Sequence, residues 1–410
     1  VQRREAKQDR SMIRQKRITE GAIVAISRHG IAGLTHRRVA QEAHVSLAAT
    51  TYYYQTKNDI IADASRALLS RYLEAFRRFA QRQRDRPDKI AFSDFAMKLV
   101  FNAAGKESVE SLAWCEIILN TVRQPELRDL SQSWFAALEE VWREIATLLG
   151  ISELESAVTS AIDIVIGFLF IVVPLGLSES GLRKLLLGDG ANISAELFKA
   201  DRRQTVPIRA GRKAEITRER ILDAAVKILI ADGAEALTFR HVAEKAGLTV
   251  AAPTYYFSSI STLWNAAQLR LFDNSKMRYR SVMGAVRYAT LDVANLADLT
   301  STIFLREATE YRNLSLACYP VYIQSRRDPS LRSGLWAINS EQQHRWFQVM
   351  ANVSARATQS NAWMMYALFT GKLIRILATG AETRALAKVR GEFAYDLAAM
   401  AEGRHWSNRQ

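Results

Sequence analysis

Apolar residues return along the chain at three- and four-residue steps, and strict alternation of apolar with polar positions is rare. That periodicity belongs to amphipathic helices and predicts an all-α protein. The first clear stripe is Ile18, Ala22, Ile23 and Ile26, and it stops at His29-Gly30, a C-terminal glycine signal. Thr35 is placed to cap a short helix from Arg37 to Ala43, whose Val39 and Ala40 face inward. His44 marks a tight turn, Ser46 caps a second short helix through Tyr53, and a longer helix opens near Lys57. Helix, short helix, turn, short helix is the spacing of a helix-turn-helix.

The same pattern then occurs a second time. Residues 17–61 align without a gap on 220–264, and about 15 of the 45 positions are identical. The identities include Arg17/Arg220, Gly30/Gly233, Thr35/Thr238, Arg37/Arg240, Thr51/Thr254, Tyr52/Tyr255 and Tyr53/Tyr256. In the second copy Ile221, Ala224, Ala225, Ile228 and Leu229 form the stripe, Gly233 stops it, and Thr238 and Thr249 are the expected caps. Gly247 fills the turn position held by His44 in the first copy; glycine reaches a left-handed backbone cheaply, histidine at some cost. Further along, Cys115 falls on Cys318, and QPELR (124–128) falls on DPSLR (328–332) after a one-residue slip. The duplicated unit is therefore about 200 residues, with a polar, basic linker expected at 199–213 around Pro207 and Gly211. The expected order is a basic arm with the first head (1–60), a helical body (61–198), the linker, a second head (214–263) and a second body (264–410).

The strings GLTHRRVAQEAHVSLAATTYYYQTK and ALTFRHVAEKAGLTVAAPTYYFSS resemble the DNA-binding signature of the tetracycline-repressor (TetR) family. The resemblance is strong over about 50 residues in each copy and weaker over the bodies. It implies two TetR-like units in one chain, each a three-helix head on a helical effector and dimerisation body, paired as an intramolecular pseudo-dimer. It also implies which residues meet DNA. Arg37, Ser46, Leu47, Ala48 and Tyr52 in the first head, and Arg240, Thr249, Val250, Ala251 and Tyr255 in the second, correspond to positions facing the major groove. Phosphate contacts are implied at Thr35, His36, Thr51, Tyr53 and Lys57, answered by Thr238, Thr254 and Tyr256. The family's phosphate-binding lysine is present at Lys57, but Ile260 stands in its place in the second head. Tyr54 and Phe257 are read as core of the heads, since they fall on the inward face.

Charge agrees with two phosphate-binding faces. The chain carries a net +14, and residues 1–60 and 202–263 together supply about +10 of it. The recognition helices differ, SLAATTYY against TVAAPTYY, so unlike half-sites are expected. In the bodies, the resemblance implies dimerisation helices, with candidates at 127–149, 154–177, 331–353 and 362–378. The run Ile164 to Leu177 is apolar throughout, yet shorter than the ~20 residues a spanning helix needs, and is read as an interface helix rather than a membrane span. Effector contacts are sought among Phe92, Phe95, Phe101 and Trp114 in the first body and Trp264, Phe304, Tyr311, Tyr319, Tyr322 and Trp336 in the second, whose richer set of donors favours the second.

Other classes of function find little support in the sequence. Cys115 and Cys318 have no ligand-spaced neighbours and read as buried thiols, and the six histidines are scattered. No phosphate loop, metal cluster or serine-elbow motif is present, so no metal, cofactor or enzymatic activity is expected. The N-terminal segment is basic without an apolar core, unlike a secretory signal. The expectation is a cytoplasmic, sequence-specific duplex-DNA regulator: a repressor released by a small molecule, one chain binding an asymmetric operator. The alternatives are an architectural DNA binder without a ligand and, more remotely, a helical enzyme.

Overall fold

The computed structural model describes residues 2–87, 90–187, 211–283 and 291–402. Most of the expected linker, up to residue 210, lies outside the described residues. Among them no strand occurs, and the fold is all-α. The first repeat runs α1 (Gln2–His29), α2 (His36–Ala43), α3 (Leu47–Tyr53), α4 (Lys57–Asp85), α5 (Phe92–Ala104), α6 (Ser108–Arg123), α7 (Arg128–Leu148), α8 (Leu154–Ile171) and α9 (Glu179–Leu187). The second runs α10 (Arg212–Ala231), α11 (Phe239–Ala246), α12 (Ala251–Tyr256), α13 (Ile260–Met283), α14 (Val293–Ala308), α15 (Arg312–Cys318), α16 (Pro320–Arg327), α17 (Arg332–Val353), α18 (Gln359–Ala378) and α19 (Thr383–Ala401). The segment expected as a basic arm is instead the start of α1, which is helical from Gln2.

The repeats correspond element by element. The matched strings QPELR and DPSLR each form a 3-10 turn, Pro125–Leu127 and Pro329–Leu331, that leads into α7 and α17. The single helix α6 corresponds to two, α15 and α16, because Pro320 lacks an amide proton and its ring collides with a helical carbonyl one turn back. Cys115 and Cys318 are free and buried.

The chain divides into two compact units that cut across the two halves of the sequence. Among the described residues, the first comprises those within 2–173 and 367–399, and the second those within 174–366 and 400–402. In the first unit α1 packs on α2, α4 and α6, and α4 packs on α7. Helices α7 and α8 also meet second-repeat chain: Gln132 Nε2 donates to the Thr379 carbonyl at 3.2 Å, and Lys388 pairs with Glu155 at 3.0 Å. The second-repeat contribution there is the latter part of α18, which falls within the expected range 362–378, together with α19, which the expected interface left out. The apolar stretch Leu154–Leu175 could span a membrane by length and composition alone, but 89% of its window is buried inside the fold. In the second unit the core includes Phe304, Tyr322, Leu335 and Trp363.

Candidate nucleic-acid interface and effector cavity

Each head is built from local signals that the two copies share. In the first, Thr35 accepts from the Arg38 amide at 3.2 Å and caps α2, and Ser46 accepts from the Ala49 amide at 3.3 Å and caps α3. Between them His44 is left-handed at φ 52° and ψ 48°. In the second, Thr238 caps α11 through the His241 amide and Gly247 takes the same turn at φ 63°. Arg17 reaches from α1 to the Ala43 and His44 carbonyls at 3.1 Å, and Arg220 reaches the Ala246 carbonyl at 2.7 Å. These guanidiniums answer carbonyls left over at the helix end and fix the turn against the first helix of each head.

One expected cap is absent. Helix α12 begins at Ala251 with Val250 as its N-cap, and no side chain caps it. Were Thr249 the cap, Pro253 would lie four residues inside, where its ring collides with the Thr249 carbonyl. The later start moves the proline into the first turn, where it is tolerated.

The residues implied to face DNA are brought to the surface. Arg37, Ser46, Leu47, Ala48 and Tyr52 are all exposed, as are Arg240, Thr249, Val250, Ala251 and Tyr255. Tyr52 and Tyr255 are 81% and 83% exposed, although an aromatic ring gains most from burial. Behind each, Tyr53 and Tyr256 pack edge-on with centroids 5.1 and 5.2 Å away. Of the residues implied to meet phosphate, Thr35, Thr51, Thr238 and Thr254 are exposed, and His36, Lys57, Tyr53 and Tyr256 are partly covered. The Tyr53 hydroxyl already lies 2.8 Å from Ser11 Oγ, which ties α3 to α1. Ile260 is 37% exposed at the position of Lys57.

Tyr54 and Phe257 are buried core, as their inward position implies. Tyr54 donates to Asp63 at 2.5 Å, and burial together with that carboxylate pushes its pKa up to about 12. Phe257 instead lies under the Arg218 guanidinium, 5.3 Å from its ring centre. The two heads thus hold the same helices with different inner contacts.

A cavity opens in the first repeat, with an empty volume of about 560 Å³ including its mouth. Tyr72, Phe76, Trp114, Trp134 and Trp142 form its aromatic lining, Ile162, Val165 and Leu169 its aliphatic lining, and Glu107 and Ser111 supply polar atoms. Trp134 donates to Ser65 Oγ at 3.0 Å, but the buried indole N–H groups of Trp114 and Trp142 have no acceptor. Burial raises the Glu107 carboxyl above its ordinary range, against the opposing pull of Lys106.

Of the expected effector residues only Trp114 lines this cavity. Phe95 packs beside it on Phe76, Phe92 and Trp142. The second-repeat set is engaged elsewhere: Tyr322 bonds Asn339 at 2.8 Å, Trp336 stacks on Trp363, and Tyr311 lies under Arg306. Phe304 and Tyr319 are buried. The described cavity lies in the first repeat, and in the set expected for the second the Tyr322 hydroxyl is already bonded to Asn339.

Comparison with known families decides the chain's identity. The description "Tetracyclin repressor-like, C-terminal domain" matches residues 87–186 and 291–399, just over half of the chain. The protein belongs to the TetR family. A second description, "Bacterial regulatory proteins, tetR family", matches residues 221–267, the second head. Two solved structures are similar. A transcriptional regulator from Streptomyces coelicolor A3(2) is 19% identical, with 41% of this chain and 97% of that one covered and a TM-score of 0.32. The multidrug binding protein EbrR, complexed with imidazole, is 18% identical over 44% of this chain and 93% of its own, with a TM-score of 0.34. No curated protein matches. The TetR protein is a DNA-binding transcription regulator and not an enzyme, and its bodies occur twice in one chain.

Sequence reasoning on this TetR chain missed Arg17 and Arg220 as structural clamps, though their identity across the repeat was the available signal. It also passed over Glu107, which is one charged residue among many until the fold places it beside three tryptophans.

Proposed function

We propose that one chain binds an operator of two unlike half-sites as a repressor and leaves it when a flat aromatic cation enters the first-repeat cavity. The observation that carries the DNA reading is the exposure of Tyr52 and Tyr255 at matched positions on unlike recognition helices. Exposed Leu47 and Val250 suit thymine methyl groups, and Arg37 and Arg240 suit guanine edges. Such a regulator works where the DNA is, in the cytoplasm.

The effector class follows from the lining. Aromatic faces attract a cation, and Glu107 provides a counter-charge at the same cavity. Tyr72 burial pushes its hydroxyl pKa up, so it stays neutral and adds no competing charge. An acceptor atom on the ligand would also answer the indole N–H groups of Trp114 and Trp142, whose isolation is costly.

The test uses N-methylquinolinium and its uncharged isostere methylnaphthalene. Operator is first selected from a random duplex library, and release is then followed alongside tryptophan fluorescence. The reading expects quenching and DNA release by the cation at concentrations where methylnaphthalene does neither. Equal action of the two compounds contradicts the cation reading, and failure to select any duplex contradicts the DNA reading.

A further inference from the structure

The packing of α8 on α18 carries a pattern that bears on which repeat pairs with which. At the one-residue slip set by QPELR and DPSLR, Gly167 corresponds to Gly371 and Asp163 to Ala367. A methyl on Gly167 would overlap the Ala367 carbonyl, and a methyl on Gly371 would overlap the Asp163 carbonyl. Each contact is the other with the repeats exchanged, the signature of an isologous interface. The same exchange recurs at the helix ends: Gly176 abuts the Arg332 side chain, and its counterpart Gly380 abuts Arg128, the counterpart of Arg332.

The backbone packing is symmetric, but the charges are not. Asp163 is fully buried and takes a two-pronged bond from Arg375, Nε to Oδ1 at 2.6 Å and Nη2 to Oδ2 at 2.9 Å. Lys372, also fully buried, lies 3.0 Å from the same carboxylate and bonds Glu392 on α19. Arg375 comes within 3.8 Å of Glu392. The counterpart of each of these three residues in the other repeat is uncharged: Ala367 answers Asp163, Phe168 answers Lys372 and Ile171 answers Arg375.

We propose that this cluster is a pairing code, which joins a first repeat to a second repeat and bars association of like repeats from separate chains. Two first repeats packed this way would each bury an aspartate against phenylalanine and isoleucine. Two second repeats would set lysine and arginine against alanine, with Glu392 of their own repeat as the carboxylate left to both cations. Burying a charge without its partner costs far more than burying the complete pair, so both like pairings are disfavoured. The glycine contacts alone make no such distinction, since both repeats offer them. The code acts on association and is independent of what the heads bind.

The test swaps charges in full-length chains that carry different affinity tags. Asp163→Arg puts a cation in the first repeat of one chain, and the double variant Lys372→Asp, Arg375→Asp puts acids in the second repeat of the other. Neither satisfies its own interface, but the first repeat of each complements the second repeat of the other. The proposal expects the co-expressed variants to co-purify at twice the mass of one chain, in equal amounts. It also expects two differently tagged wild-type chains to stay apart. If wild-type chains co-purify as readily as the variants, or if co-expression fails to bring the variants together in soluble form, the proposal is overturned. Wild-type separation together with variant association would be hard to obtain from a merely structural ion cluster.

Discussion

The side chains at the start of each recognition helix are where this chain departs most from ordinary burial. Leu47 and Val250 are exposed, and each stands a few residues before an exposed tyrosine. Arg37, on the helix before, is exposed, and in the proposed function it reads a base edge. Arg37→Ala should weaken binding at one half-site only, by about 1–3 kcal/mol, measured with duplexes that vary each half in turn. Lys57 and Ile260 make a second contrast between the heads. Lys57→Ala should lower the slope of log affinity against log salt by about one phosphate unit, whereas Ile260→Ala should leave it unchanged. In the cavity, Glu107 has a folded-state pKa raised by burial, so its carboxyl takes up a proton at a higher pH than an exposed glutamate. Cation binding that depends on the carboxylate should hold at neutral pH and fall away as pH drops through that raised value. Glu107→Gln should weaken N-methylquinolinium roughly ten-fold, about 1.4 kcal/mol, and abolish this pH dependence; titration of tryptophan fluorescence reads both. The sequence could indicate which residues of the short helices reach the surface because their signature is local. It could not indicate Glu107, whose meaning depends on Trp134 and Trp142 of α7 arriving beside Trp114 of the helix that Glu107 precedes.

Helix ends explain how two rather different strings make the same head. Thr35, Ser46 and Thr238 accept the amide bonds that their positions before short helices suggest. The turn between the short helices must be left-handed in both heads, yet only Gly247 meets that demand without strain. His44→Gly should raise the stability of the first head by about 1 kcal/mol, since a side chain in that conformation costs roughly 1–2 kcal/mol. Urea unfolding of the full chain, followed by hydrogen exchange in α1 to α3, should show the gain there and none in α10 to α12. A loss of protection in α1 to α3 would mean that the His44 ring makes a contact worth more than the strain. Elements were legible wherever a cap, a glycine or a steady stripe marked them. The start of α12 was misread because Pro253 acts backwards on a carbonyl four residues earlier. The break between α15 and α16 shows the same steric rule at Pro320.

At the scale of the whole chain, duplication was plain from the aligned heads, while the exchange of helices between compact units was not. Residues 367–399 belong with the first unit because Asp163, Lys372, Arg375 and Glu392 meet there, a contact set spanning more than 200 residues of sequence that no local pattern announces. Burial alone would raise the Asp163 carboxyl, but Arg375 and Lys372 outweigh it and hold the carboxyl below its usual range. Fusion of the repeats makes their pairing intramolecular, at an effective concentration around the millimolar range. On the proposed function such a regulator needs no second copy to present two heads, and its heads need not be alike. Native mass measurement of the protein bound to a selected duplex holding both half-sites tests this most directly. The account predicts one chain per duplex at every protein concentration, with affinity lost when either half-site is reversed. Two chains on that duplex, or undiminished binding to a palindrome built from one half-site, would contradict it.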